Sequence, residues 1–246
     1  MKKAFIFGLN GKMGKMLTQC AEDFGYEITG GFDVAPNADI PTFSDVAEID
    51  VPFDVIIDFS RPQTLSALIE LATRRAVPAV IATTGYTQSE LNAISELAKK
   101  VPLLRSGNMS LGIAAVKAAA KTAQAILGDG FDIEIVEKHH NQKADSPSGT
   151  ALLLADALAP SERQVINRNG KRNHGELGIT SVRGGGVIGE HEIGFYGDDE
   201  TVTISHSARS RKLFAAGAYK AADFLLSASP AVYDMDDLVK TLIAVK

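Results

Sequence analysis

The chain has 246 residues, 45% hydrophobic and 22% charged, with a net charge of −5. This fits a globular chain of one large or two modest domains, and a mildly acidic chain with no long basic run excludes a general nucleic-acid role. Cys20 is the only cysteine, which excludes an intrachain disulfide. The apolar run after Met1-Lys2-Lys3 is too short for a signal peptide. No segment reaches the roughly 18 uninterrupted apolar residues of a membrane span. Residues 111–127 come nearest, and Lys117 and Lys121 interrupt them. Together these features predict a cytoplasmic protein with no membrane partner.

Residues 3–7, Lys-Ala-Phe-Ile-Phe, read as a buried strand. A glycine-rich turn follows, Gly8-Leu9-Asn10-Gly11-Lys12-Met13-Gly14. Met13, Met16, Leu17, Cys20, Ala21 and Phe24 then recur at helical spacing, and Gly25 closes the helix. Residues 26–32 read as a second strand with Asp33 at its end. A strand, a glycine turn, a helix, a strand and an acid form the pattern of a dinucleotide site. The glycines let the backbone approach a pyrophosphate, and the helix N-terminus stabilises its charge. The spacing is G-x-x-G-x-x-G rather than G-x-G-x-x-G, so the context carries the reading, not the loop alone.

Alternation continues. Residues 54–59 are a buried-strand candidate. Ser60-Arg61-Pro62-Gln63 then looks like an N-cap, an early proline and a capping-box residue, with Leu65, Leu68, Ile69 and Ala72 behind it at helical spacing. Residues 79–82 are another strand, and Ala82, Thr83 and Thr84 end it on the face where ligands bind in such sheets. Thr87-Gln88-Ser89-Glu90 is a second capping box. Residues 101–104 form a short strand leading into Ser106-Gly107-Asn108-Met109. In the cofactor reading, both strand ends reach towards the nicotinamide.

After Met109 the pattern changes. Residues 111–127 form one Ala-rich helix, closed by Gly128-Asp129-Gly130. Residues 131–137 read as a strand that runs into His139, His140 and Lys143. These are three donors within five residues of a mildly acidic chain. Ser148 or Thr150 is a good N-cap for a helix to about Leu158. A helix N-terminus beside two imidazoles and an ammonium suits a carboxylate, and a His and a Lys there can also donate protons. Residues 160–176 are polar and read as a long loop, with Lys171, Arg172 and His174 read as a solvated face in preference to a substrate contact. Three strands follow without helices between them (179–183, 187–195 and 201–207). A helix over 213–226 and a tail with Met235, Leu238 and Leu242 on one helical face end the chain. The fold class is α/β: a Rossmann-like parallel sheet, then an α+β part with an open mixed sheet.

These residues resemble the bacterial 4-hydroxy-tetrahydrodipicolinate (dihydrodipicolinate) reductases of lysine and diaminopimelate biosynthesis, over nearly the whole chain. The specific motif is Glu137-x-His139-His140-x-x-Lys143-x-Asp145-x-Pro147-Ser148-Gly149-Thr150-Ala151. Gly8-x-x-Gly11-Lys12-Met13-Gly14, Thr83-Thr84-Gly85, Gly107-Asn108-Met109-Ser110, Ser181-Val182-Arg183 and Gly189-Glu190-His191 support it. The resemblance implies a dinucleotide domain, residues 1–109 plus 214–246, and a substrate and tetramerisation domain, residues 110–213. It implies a homotetramer and a small dicarboxylate substrate. It implies His139 as the acid–base residue, Lys143 as proton donor, and His140, Gly149 and Thr150 as substrate ligands. NADH or NADPH would lie along Gly8 to Met13, Asp33, Ala82 to Thr84 and Ser106 to Met109. Lys12 stands where many relatives have Arg, and Val34 where some have an Arg able to meet a 2′-phosphate. Asp33 favours NADH; Lys12 partly offsets it and leaves NADPH open.

Other readings are a different two-domain dehydrogenase or a non-catalytic dinucleotide sensor. The His-His-x-x-Lys loop argues against the first, and the presence of both His139 and Lys143 against the second. A zinc site from His139, His140 and Asp145 is disfavoured, since neighbouring strand-end side chains point apart and no Cys cluster helps.

Overall fold

The computed structural model describes residues 1–244; positions 245 and 246 of the expected 214–246 segment lie outside the described residues. In chain order the elements are β1 (Lys2–Phe7), α1 (Lys12–Cys20), β2 (Tyr26–Phe32), β3 (Thr42–Phe43), β4 (Val55–Asp58), α2 (Leu65–Arg75), β5 (Ala79–Ile81), α3 (Gln88–Leu97), β6 (Leu103–Arg105) and α4 (Leu111–Leu127). Then come β7 (Asp132–His139), α5 (Gly149–Leu158), β8 (Gln164–Ile166), β9 (Leu177–Arg183), β10 (Gly189–Tyr196), β11 (Thr201–Ala208), α6 (Lys212–Leu225), β12 (Val232–Tyr233) and α7 (Met235–Ala244). They form two compact units: Met1–Leu111 with the chain from Arg211 on, and Gly112–Ser210.

The first unit is built on a seven-stranded sheet in the order β12-β6-β5-β4-β1-β2-β3, and every pair in it is parallel. Parallel strands need crossovers, and helices on both faces supply them. That explains why β1 and β4 are continuous apolar runs: Ala4 to Phe7 and Val55 to Ile57 are fully buried. Phe5, Phe7 and Ile56 pack with Leu65, Leu68 and Leu71 of α2 and Ile94 and Leu97 of α3. Helix α6 lies against β4, β5 and β6 and packs on α1, where the Tyr219 hydroxyl donates to the Leu17 carbonyl at 2.8 Å. The chain runs from β1 outwards to β2 and β3, then returns to β4 on the other side. That reversal opens a crevice at the carboxyl ends of β1 and β4.

The second unit holds a five-stranded mixed sheet, β11-β10-β7-β9-β8. Strand β10 is antiparallel to β7 and β11, while β7, β9 and β8 run parallel. One face packs on α4 and α5, with Ile113, Val116, Leu154, Ile135, Ile179 and Ile193 in the core. The alternate residues of β7 and β10 face the other way, and there Lys138 pairs with Glu190.

Several expectations need correction. The first helix stops at Cys20, and Glu22–Phe24 continues as a 3-10 turn before Gly25 at φ 76°. The Ser60 capping box does not form: Pro62–Thr64 is a 3-10 turn, and the Ser60 hydroxyl binds Asp58 and Thr64 instead. Arg61 precedes Pro62 and is held extended at φ −138°, ψ 158°, so the helical turn starts one residue too late for a Ser60 cap. The 160–176 segment is not one loop, because Gln164–Ile166 adds an edge strand to β9. Arg172 is not solvated; it pairs with Asp132 and Glu134, and Arg168 with Glu134 and Glu176. Strands β3 and β12, two residues each, are too short to leave a period in the sequence.

Candidate active site

In the first unit the loop after β1 carries Gly8 at φ 81°. A Cβ at Gly8 would meet the Phe59 carbonyl oxygen at 2.8 Å, and one at Gly14 would meet the Gly8 carbonyl oxygen at 2.2 Å. Only glycine fits either position, so the turn stays tight against the start of α1. Among the described residues no side chain caps α1 at Gly11, and its first turn has no acid. Its amides are thus available to an anion, beside the exposed Lys12. Leu9 is buried under Gly31 and anchors the loop from below, and Met13 is half-buried. Asp33 directly follows β2, and its carboxylate accepts from the Asn10 amide at 2.9 Å and the Val34 amide at 2.8 Å. A carboxylate has about four acceptor sites, so capacity for ribose hydroxyls remains.

The crevice beside this loop is about 510 Å³, lined by Gly8, Asn10, Gly11, Asp33, Ser60 and Arg61 among others. The neighbouring strand ends add the other expected residues. The Ala82 amide bonds the Asp58 carbonyl at 2.9 Å, Thr83 is buried and Thr84 is exposed. The Ser106 hydroxyl donates to the Asn108 carbonyl at 2.9 Å, and Asn108 accepts from the Ser110 amide at 2.8 Å. Gly107 lies against the Thr84 methyl, and Met109 is buried. Glycine loop, acid and crevice together fit a dinucleotide. Sequence reading missed Asp58, a buried carboxyl at the end of β4. It binds the amide and hydroxyl of Ser60, and Tyr86 approaches at 3.4 Å. Burial raises its pKa, opposed by the Ser60 hydrogen bonds.

In the second unit His139 is the last residue of β7 and is buried, while His140 follows the strand end half-buried. Residues i and i+2 of a strand share a face, so Glu137 and His139 lie side by side. His139 Nδ1 is 2.5 Å from Glu137 Oε2. Arg183, across from His139 on β9, donates to both Glu137 oxygens at 2.7 Å. The Ser148 amide donates to Glu137 Oε1 at 3.0 Å. Burial pushes the Glu137 pKa up, but hydrogen bonds from Arg183 and His139 outweigh it and hold the group at about 2.

Ser148 is the N-cap of α5, accepting from the Ala151 amide at 3.1 Å; its hydroxyl also meets His191 Nε2 at 3.1 Å. Gly149 and Thr150 therefore form the first turn of α5. The His191 ring stands edge-on to His139, centroids 5.2 Å apart. Burial, then the neighbouring His139, push the His191 pKa down to about 4. The Lys143 ammonium pairs with Asp145 at 2.8 Å, and that pairing lowers the Asp145 pKa. One short segment thus carries an oriented imidazole, an ammonium and a helix N-terminus, a set able to bind a carboxylate and move protons. Glu137 stood in the motif without a role. Its i, i+2 spacing to His139 was the available signal.

The family model described as dihydrodipicolinate reductase, N-terminus, matches residues 2–109, and the C-terminus model matches residues 112–239. A 4-hydroxy-tetrahydrodipicolinate reductase of Caldanaerobacter subterraneus subsp. tengcongensis is 45% identical, over 98% of this chain and 99% of that one. One from Clostridium tetani is 43% identical over 98% of each chain. The solved structure of a dipicolinate-bound dihydrodipicolinate reductase from Paenisporosarcina sp. TG-14 superposes with a TM-score of 0.81 at 25% identity, covering 96% of this chain and 99% of that one.

Proposed function

The chain belongs to the dihydrodipicolinate reductase family, and on that premise we propose how its own residues perform the reaction. It is an NAD(P)H-dependent reductase of 4-hydroxy-tetrahydrodipicolinate, in lysine and diaminopimelate biosynthesis. Gly8 to Met13, Asp33, Ala82 to Thr84 and Ser106 to Met109 hold the dinucleotide. The reduced nicotinamide supplies the hydride when bound.

His140 and the first-turn amides of Gly149 and Thr150 hold a carboxylate of the cyclic substrate, where α5 presents its positive end. The Lys143 ammonium adds a counter-charge and donates a proton to the ring atom that becomes electron-rich. His139 moves protons at Nε2, with Nδ1 committed to Glu137. The product is tetrahydrodipicolinate, formed with loss of water. The observation that most supports these roles is the Ser148-capped start of α5, reached by one short loop that leaves β7 at His139 and carries Lys143. The dipicolinate bound by the Paenisporosarcina relative is a cyclic dicarboxylate of this class.

Residues 1–109 with 214–246 are the dinucleotide domain and 110–213 the substrate domain, which also assembles a cytoplasmic homotetramer. Exposed residues along β11, an edge strand, are consistent with a sheet that a second copy covers. Among the described residues no helix is long and apolar enough to cross a membrane.

The test is an assay with freshly made condensation product of pyruvate and aspartate semialdehyde, following NADH and NADPH oxidation separately. Oxidation that depends on the condensation product is expected; none with either nucleotide rejects the reading. His139→Gln should lower kcat about 100-fold or more and leave the NADH dissociation constant unchanged. Equal loss in both contradicts an acid–base role.

A further inference from the structure

We infer that Glu137 is the positioning residue of His139: held by Arg183 and the Ser148 amide, its carboxylate fixes the imidazole as the Nδ1–H tautomer and turns Nε2 to the reaction. This rests on the reading of His139 as the acid–base group. An ionised carboxylate can only accept hydrogen bonds, so the contact at 2.5 Å is a donation from Nδ1–H. The neutral ring then carries its lone pair on Nε2. Arg183 already takes both Glu137 oxygens at 2.7 Å, so Glu137 acts through orientation more than through net charge. Across the sheet, a Cβ at Gly189 would stand 3.0 Å from His139 Nε2; the missing side chain leaves that nitrogen room.

The same geometry says what Glu137→Gln does. Oxygen Oε1 receives Arg183 and the Ser148 amide; Oε2 receives Arg183 and His139. A glutamine carbonyl takes the Oε1 position, where both neighbours are backbone or guanidinium donors that cannot reverse. Its NH2 then takes the Oε2 position, where it faces His139 Nδ1, which must accept, and displaces the Arg183 Nη1 donor; the flipped amide would meet two donors instead of one. The proton moves to Nε2, and the neutral ring can no longer take one there. A wrong tautomer in an intact site is costly in the serine-protease triad, where the matching carboxylate-to-amide change lowers kcat about 10⁴-fold.

The experiment is 15N-histidine NMR with steady-state kinetics. In the wild-type protein the neutral His139 ring should show a protonated Nδ1 and a bare Nε2. Glu137→Gln should show the reverse and lose about 100-fold or more in kcat, with KM for the dicarboxylate and NADH affinity little changed. A bare Nδ1 in the wild type overturns the inference, and that measurement stands even where the variant does not fold. So does a folded Glu137→Gln variant with wild-type kcat, or one that loses kcat without a change of tautomer. His139→Gln in the same assay separates the two readings. If it keeps turnover, the acid–base assignment itself falls; if it loses turnover while Glu137→Gln keeps it, only the positioning role falls.

Discussion

Asp33 does two things with one carboxylate. It closes the glycine loop by accepting from the Asn10 amide, and in the proposed function it reads the ribose. Asp33→Ala therefore weakens binding of both nucleotides, because the loop loses its tie. It also removes the charge that repels a 2′-phosphate and the acceptor that favours a free hydroxyl. A hydrogen bond to a charged group contributes about 1.5–3 kcal/mol, so the NADH-to-NADPH ratio of kcat/KM should fall by about tenfold or more. An unchanged ratio rejects the assignment, whatever happens to the absolute values. The position of Asp33 was legible from strand spacing alone. Its bond to Asn10 was not, because a backbone amide's partner depends on how the turn closes. Glu137 is similar: its neighbour His139 is two residues away, but Arg183, which fixes both oxygens, lies 46 residues on.

At the scale of elements, α6 shows where glycine decides packing. A Cβ on Gly217 would fall 1.6 Å from the Met109 carbonyl oxygen, so the helix meets the end of the Ser106–Met109 loop backbone to backbone. Alanine is about 1 kcal/mol better than glycine in a helix interior, which favours Gly217→Ala. Overpacking costs about 1–3 kcal/mol, and a clash with backbone cannot be relieved by a rotamer. The clash wins: Gly217→Ala should lower Tm and weaken NADH binding by shifting the loop, as thermal melts and an NADH titration would show. An unchanged Tm contradicts the close approach. Sequence periodicity found α6 to within a residue but could not show which face carries a small residue for contact. It found the Thr87–Glu90 capping box because that motif is local and both of its bonds form. It missed β3, β8 and β12 because strands of two or three residues have no period. It misjudged Ser60 because the proline that suggests a helix start also holds Arg61 extended, so the turn begins one residue beyond Ser60's reach.

Across the whole molecule, the two units carry buried titratable groups of opposite acid response. In the second unit His191 is held down to about 4 by burial and by His139. On acidification the unfolded chain takes up this proton from about pH 6.5, while the folded ring does not until about 4, so stability is lost across that window. Glu137 is held at about 2, burial opposed by Arg183 and His139. Its stabilising contribution is present above the unfolded value near 4.5 and is lost as pH falls through the folded one. Each difference is worth on the order of 3 kcal/mol at completion. In the first unit Asp58 runs the other way: burial raises its pKa, so acid relieves a buried charge there. Lowering the pH from 7 to 4 should therefore loosen the second unit before the first. Hydrogen exchange, corrected for intrinsic rates, should show β7, β10 and α5 losing protection at a higher pH than β1 and β4. His191→Asn should flatten the loss between pH 6.5 and 4. Protection lost first in β1 and β4 would mean that the His191 and Glu137 network does not set the acid response of this fold.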